Sequence, residues 1–276
     1  MMRGALAAAM AAVLAACAPP AAPPQPPARP VRVVSLDYCA DQFVLKLADR
    51  GQIAAVSPDA GEPFSAMAGA AEGVARVRSS IEDVLALKPD LVVRSYGGGA
   101  GAAAAFARAG VPVAQVGYGE TLAAARENVF AMAAALGHVE RGARLVQDMD
   151  RRLATLTPTS GAPPRALYFT QGGVTTGPGG MVDEMMRFAG LANFETAPGW
   201  RSLPLERLAA DKPDLVVAAH FGARADAQDF WSAARHPIAR DLLHERPVAA
   251  IDGAWTSCPA WFLVDGVETL RSAARQ

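Results

Sequence analysis

A chain of 276 residues is long enough for one large α/β domain or two small ones, and either can bury a substantial core. The formal net charge of −1 and the lack of any Lys/Arg run exclude an electrostatic binder of nucleic acid. With 19% charged residues and regular Gly and Pro punctuation, the composition is that of a folded α/β protein rather than a disordered one.

In chain order, Met1-Met2-Arg3 is a small positive start, and Gly4 to Leu14 is an Ala-rich apolar stretch. It is too short for a membrane-spanning helix, which needs ~20 apolar residues, and reads as an export signal. The signal ends in Leu14-Ala15-Ala16-Cys17, which resembles a bacterial lipoprotein box and implies Cys17 as the lipidated first residue of the mature chain. Residues 18–30 hold seven prolines in thirteen positions. Such a segment favours extended polyproline II and acts as a semi-rigid spacer of ~3 Å per residue. The expected organisation is a signal over 1–17, a spacer over 18–30, a first α/β lobe over 31–138, a connecting helix over 139–157 and a second lobe over 158–276.

Arg32 to Leu36 reads as a strand followed by the turn-like Asp37-Tyr38-Cys39, then a helix from Asp41 to Leu47 and a short strand from Ile53 to Val56. Residues 58–75 lack a period and read as loop and short helix. Ser80 with Asp83 three residues on marks a helix start, and the helix must end near Lys88 because Pro89 restricts its predecessor. Leu91-Val92-Val93 is a buried strand. A helix (Ala102 to Ala109), Gly110 and a strand (Val113 to Val116) follow, and this alternation implies a parallel sheet. Two helices, Thr121 to Leu136 and Glu140 to Leu156, come next, and the second would span ~25 Å and bridge two lobes. The pattern then restarts with a strand (Ala166 to Phe169), a Gly-rich loop (Gly172 to Gly180), a helix (Val182 to Ala189), a late strand (Arg246 to Ile251) and a closing helix (Phe262 to Ala274).

One segment occurs twice. Ser80-Ile81-Glu82-Asp83-Val84-Leu85-Ala86-Leu87-Lys88-Pro89-Asp90-Leu91-Val92-Val93 returns as Pro204-Leu205-Glu206-Arg207-Leu208-Ala209-Ala210-Asp211-Lys212-Pro213-Asp214-Leu215-Val216-Val217. A single repeat this far apart implies two similar lobes rather than a solenoid. Two lobes imply a cleft, a favoured place for a ligand. Cys39 and Cys258 fall in different lobes on this reading. An even pair in an exported protein invites a disulfide, but a bridge there would staple the cleft, and two separate buried thiols are the expectation.

The strand start Arg32-Val33-Val34-Ser35-Leu36, both copies of the Glu-to-Lys-Pro-Asp-Leu-Val-Val segment, and Met181 to Phe188 followed by Ala189-Gly190-Leu191-Ala192-Asn193 occur in that order. Over about Arg32 to Arg271 the chain resembles the periplasmic substrate-binding proteins of ATP-driven (ABC) importers for vitamin B12, ferric siderophores and haem. The resemblance implies the class III periplasmic binding protein fold: two Rossmann-like α/β lobes with parallel sheets joined by one long helix, little hinge motion, and the ligand in the cleft. It implies a monomer on the periplasmic side of the membrane, lipid-anchored through Cys17, that delivers a metal chelate to a permease and ATPase complex. No cofactor of its own is expected.

In open parallel sheets ligands bind beyond the carboxyl ends of the strands. That places Tyr38, Tyr96, His220 and Phe221 as candidate walls. By the resemblance to B12-binding members, Trp200 aligns with a cleft tryptophan and the Trp255 loop with a ligand-contacting loop; Trp261 reads as core. Aromatic walls suit a large, flat or macrocyclic ligand. Arg78 is a candidate partner for ligand charge and Arg94 a second. The wall is more aromatic than basic, which favours a corrinoid or another near-neutral chelate over an anionic one. His220 could ligate haem iron axially, though a strand-end histidine is more often a hydrogen-bonding wall residue. His138, His236 and His244 show no metal-ligand spacing, and no bare metal site is expected.

Glu82 and Glu206 are equivalent in the two copies. An acidic group near a helix N-terminus is ordinary dipole complementarity, but in the resembled family one exposed glutamate per lobe docks against permease arginines. The Gly-rich runs at 97–101 and 172–180 lack a P-loop or a dinucleotide fingerprint and read as close-approach loops at the cleft mouth. An enzyme on the same architecture finds no Gly-x-Ser-x-Gly elbow or His-Glu-x-x-His helix, and a sensor would not need the symmetric glutamates.

Overall fold

The computed structural model describes residues 24–25, 28–156, 161–221 and 232–275. The expected export signal and Cys17, most of the Pro-rich segment and Trp231 lie outside the described residues. The first lobe runs β1 (Val33–Ser35), α1 (Tyr38–Leu47), β2 (Ile53–Ala55), α2 (Ile81–Ala86), β3 (Leu91–Arg94), α3 (Ala102–Arg108), β4 (Val113–Gln115) and α4 (Leu122–Ala135). Helix α5 (Val139–Ala154) leads to β5 (Arg165–Thr170), β6 (Val174–Thr176), α6 (Met181–Phe188), β7 (Ala192–Asn193), β8 (Trp200–Ser202) and α7 (Leu205–Ala210). The chain closes with β9 (Leu215–His220), α8 (Pro237–Glu245), β10 (Val248–Asp252) and α9 (Leu263–Ala273).

Two four-stranded sheets result, ordered β2-β1-β3-β4 and β10-β9-β5-β7, and every pairing in them is parallel. Strands covered on both faces read as continuous apolar runs, and Leu91, Val92 and Val93 are fully buried. One expectation needs correction. The run at 172–180 is not all loop: β-branched Val174, Thr175 and Thr176 form β6, paired antiparallel with β8. Its partner lies far along the chain, so local pattern could not announce the pairing.

The repeat has a structural basis in its aspartates. Asp90 accepts the backbone N–H groups of Val31 and Arg32 at 2.8 and 2.9 Å, while Asp214 accepts that of Arg165 at 2.7 Å. Each aspartate thus pins the start of the neighbouring strand. The arginine it holds reaches back to the end of the preceding helix: Arg32 donates to the Leu87 carbonyl and Arg165 to that of Lys212. The Leu87 carbonyl belongs to the C-cap of α2, and that of Lys212 lies one residue past the C-cap of α7. Ser80 caps α2 through the N–H of Asp83, as its spacing predicts.

Each lobe has apolar clusters of its own, but the largest interior is shared. One apolar cluster joins Val33, Phe43, Val93 and Val129 of the first lobe to Tyr168, Met185, Val217, Trp261 and Val267 of the second. Phe43 and Trp261 meet edge to face at 5.7 Å between ring centroids, and Trp261 is buried, matching its expected core role. Asn128 of α4 donates to the Pro259 carbonyl at 3.2 Å. Arg152 on α5 grips Glu268 of α9 through two bonds at 2.9 and 2.6 Å, so the connecting helix is tied to the second lobe.

Cys39 and Cys258 are bonded, with Cα atoms 5.7 Å apart, contrary to the expectation of two free thiols. They do belong to different lobes, but α1 opens at the seam where the 253–260 segment crosses, so lobe membership does not separate them. The bridge closes a sequence separation of 219 residues, and long closed loops constrain the unfolded chain most in the entropic account. Replacing both cysteines with alanine should lower stability by roughly 2–5 kcal/mol. Urea midpoints with and without reductant measure it; reductant should move the native protein and leave the double variant unchanged.

Candidate functional site

Both sheets end at one seam. The loop after β1 begins with Asp37, whose buried carboxylate accepts the N–H of Ala40 to cap α1 and those of Ser95, Tyr96 and Gly97 at 2.6, 3.0 and 2.8 Å. One carboxylate therefore shapes the whole turn after β3. Gly97 completes it, because a Cβ there would lie 2.5 Å from the Leu36 carbonyl oxygen. Arg94 is also committed to this turn: its guanidinium donates to the carbonyls of Gly97 and Gly99 and to the Gln115 side chain. It is buried, so it is neither a solvated surface charge nor a spare cation for a ligand.

Held this way, Tyr96 is 59% exposed at the end of β3. Its partial burial and then the Asp37 carboxylate raise its phenol pKa, keeping the hydroxyl protonated. Tyr38, by contrast, is buried and bridges the lobes: its hydroxyl lies 3.1 Å from the Phe64 carbonyl and 3.3 Å from that of Ala254. Its ring meets Phe64 at 5.8 Å. Burial pushes its pKa up as well. Tyr38 thus sits in the floor of the seam, where sequence position alone suggested an open wall.

The second lobe supplies further aromatic residues. Trp200 on β8 is 56% exposed and rests edge-on against Tyr168 of β5 at 6.0 Å. Tyr168 is fully buried, its hydroxyl 3.3 Å from that of Thr256, and burial pushes its pKa up to about 12. Next to Thr256 lies Trp255, half-buried against the shared core. Phe221, past the end of β9, lies over Gly253, where a Cβ would approach its ring to 2.5 Å. His220 is exposed, with Nδ1 3.5 Å from the Gln171 amide. Among the described residues no cluster of His, Cys, Asp or Glu could hold a metal ion.

Helix α2 turns directly into β3 and α7 into β9, so each helix runs back along its strand with its N-terminus at the strand's carboxyl end. The Ser79 hydroxyl bonds the Leu36 carbonyl just past β1, and Leu203 N–H bonds the Gly173 carbonyl just past β5. Glu82 and Glu206 therefore flank the same side as the aromatic loops. Both are exposed, and neither makes a hydrogen bond or ion pair with a described residue. Their neighbours are engaged: Asp83 pairs with Arg78 at 2.9 Å, and Arg207 lies over the Phe194 ring at 4.1 Å. Arg78 is thus an exposed rim residue already paired with a carboxylate. Sequence reading missed Tyr118, 89% exposed just past β4. Its place after a parallel strand was the available signal.

Two α/β lobes with parallel sheets facing across a seam, joined through one long helix, define a two-lobed ligand-binding fold. Residues 33–230 match the model of the periplasmic binding protein family, and the chain belongs to that family. It is similar in structure to the periplasmic haem-binding protein BhuT solved with two haems, at 24% identity, 88% coverage of this chain, 97% of that chain and a TM-score of 0.68. The periplasmic haem-binding protein RhuT from Roseiflexus sp. RS-1, in apo form, is 22% identical over 88% of this chain and 98% of its own, with a TM-score of 0.68. The periplasmic vitamin B12-binding protein BtuF of Vibrio cholerae is 20% identical over 89% and 97%, with a TM-score of 0.62. No match was found among curated protein sequences.

Asp41, one helical turn beyond Asp37, gives the first lobe a pH response. Burial raises its carboxyl to about 6 from 3.8, against the opposing pull of the Ser57 N–H and hydroxyl that donate to it. Between those values the folded chain holds a proton that the unfolded chain has lost. The stabilising contribution is complete below pH ~4 and lost as pH rises through about 6. Asp41→Asn keeps the Ser57 contacts without the charge. It should match the parent near pH 3 and gain about 3 kcal/mol by pH 7.5, read from urea midpoints at the two pH values.

Proposed function

We propose that this protein is the substrate-binding component of an ABC importer, taking a metal-bearing macrocycle or chelate into the inter-lobe cleft and delivering it to a membrane permease. The observation that carries the reading is the pair of half-exposed rings, Tyr96 from one lobe and Trp200 from the other, at the strand ends of a periplasmic binding protein fold. Exposed aromatic area on rigid elements suits a flat or macrocyclic ligand. A corrinoid or near-neutral chelate fits best, because the buried Arg94 is committed to loop carbonyls and Arg78 to Asp83. Haem is the second reading, favoured by exposed His220 and by the likeness to haem-binding proteins. The signal-like start and the lipobox-like Leu14-Ala15-Ala16-Cys17 support a position on the periplasmic side with a lipid tether through a spacer.

Titrating the protein with cyanocobalamin, haem and a ferric hydroxamate, followed by tryptophan fluorescence and visible spectra, tests the reading. Saturable binding of one of them is expected, and binding of none would refute it. Delivery is tested separately. Reversing the charge at both Glu82 and Glu206 should leave affinity within about twofold, because surface changes away from a site add little, while abolishing uptake into cells or proteoliposomes. Lost affinity would instead place the glutamates in the ligand site.

A further inference from the structure

Three of the large side chains most open to solvent among the described residues are aromatic and lie at strand ends or on the β6–β8 ribbon at the seam: Tyr96, Tyr118 and Trp200. Tyr118 follows β4, the neighbour of β3, and the Gln115 amide of β4 donates to the Ser95 carbonyl at 2.6 Å, so its loop lies beside that of Tyr96. Its ring is also anchored. The Tyr118 hydroxyl bonds Glu120 Oε1, while Glu120 Oε2 accepts the N–H of Met181, the first residue of α6 in the opposite lobe, at 2.8 Å. The two oxygens of one carboxylate therefore hold the ring and the far lobe together. The hydrogen bond from Tyr118 and the charge of Glu120 both raise the phenol pKa, which keeps that proton in place.

The anchor reaches the strand that carries Trp200. A Cβ built on Gly180 would lie 3.1 Å from Glu120 Oε2 and 3.6 Å from the Thr176 hydroxyl, and Thr176 is the register partner of Trp200. Tyr118 and Trp200 thus stand on the two sides of one end of the cleft. A ring left 89% in water has no packing role in the unliganded protein. Fixing its orientation in advance removes part of the ordering cost of binding.

We propose that Tyr118 is a third aromatic contact for the ligand, closing the β4 end of the cleft opposite Trp200, and that Glu120 positions it. Such a contact selects ligands with a broad apolar face, a corrin or porphyrin ring, over compact hydroxamate chelates. The proposal rests on the cleft being the ligand site.

The test titrates the mature chain and its Tyr118→Ala, Tyr118→Phe, Glu120→Ala and Glu120→Gln variants with cyanocobalamin, haem and a ferric hydroxamate. For the macrocycle that the parent binds, Tyr118→Ala should weaken affinity about tenfold. Tyr118→Phe and Glu120→Ala, which keep the ring but free it, should each lose about threefold. Glu120→Gln, able to accept from Met181 and donate to the phenol, should recover most of that loss. Hydroxamate affinity, where measurable, should change less than twofold throughout. Unchanged macrocycle binding in Tyr118→Ala overturns this proposal and leaves the cleft reading standing. Equal weakening for both ligand types shows a general structural role and overturns it too. A parent that binds none of the three refutes the cleft reading and this proposal with it.

Discussion

The apolar core that crosses from one lobe into the other is the constraint on which the rest depends. Phe43 against Trp261, Val129 and Met132 within the same cluster as Met185 and Val267, and the Cys39–Cys258 bridge tie the inner faces of the lobes together, while each lobe keeps smaller apolar clusters on its outer face. Parting them would expose apolar area at roughly 25 cal/mol per Å² as well as working against the covalent bond. Both resist parting of the lobes at the seam where the candidate aromatic residues stand.

Within that frame, single carboxylates do much of the positioning. Asp37 gathers four backbone N–H groups and so couples the start of α1 to the turn that presents Tyr96. Glu120 spans the lobes between Tyr118 and α6, and Glu184 of α6 returns a weaker bond to the first residue of α4 at 3.4 Å. Charged acceptors bond backbone N–H groups more strongly than neutral ones. Loops on such anchors can carry exposed rings without collapsing onto the core.

Much of the architecture was legible because it rests on local pattern. Ser80 and Asp83 announced a cap that exists, and Leu91-Val92-Val93 announced a strand buried on both faces. The repeated Lys-Pro-Asp announced equivalent corners, although only the structure shows its aspartates pinning β1 and β5. The site was legible in part. Tyr96 and Trp200 are exposed where strand-end reasoning and the family resemblance put them. Tyr38 has the same sequence credentials, yet its hydroxyl is bonded to carbonyls on both sides of the seam. Tyr118 went unnoticed because Val113 to Val116 marked the strand but drew no attention to its loop.

By itself the sequence determined the alternation of strands and helices, the duplication and hence the two lobes, and the family to which they belong. The alternation follows from periodicity, caps and turn residues that act within a few positions of each other, the lobes from the repeated segment, and the family from its resemblance in ordered motifs. Only the tertiary structure decided that the largest apolar cluster crosses between the lobes, that Cys39 and Cys258 meet, that β6 pairs with β8, and that Arg94 is buried and committed. Each depends on which distant segments come into contact. A cysteine's partner and an arginine's freedom are properties of that contact, and nothing in the neighbouring residues encodes them.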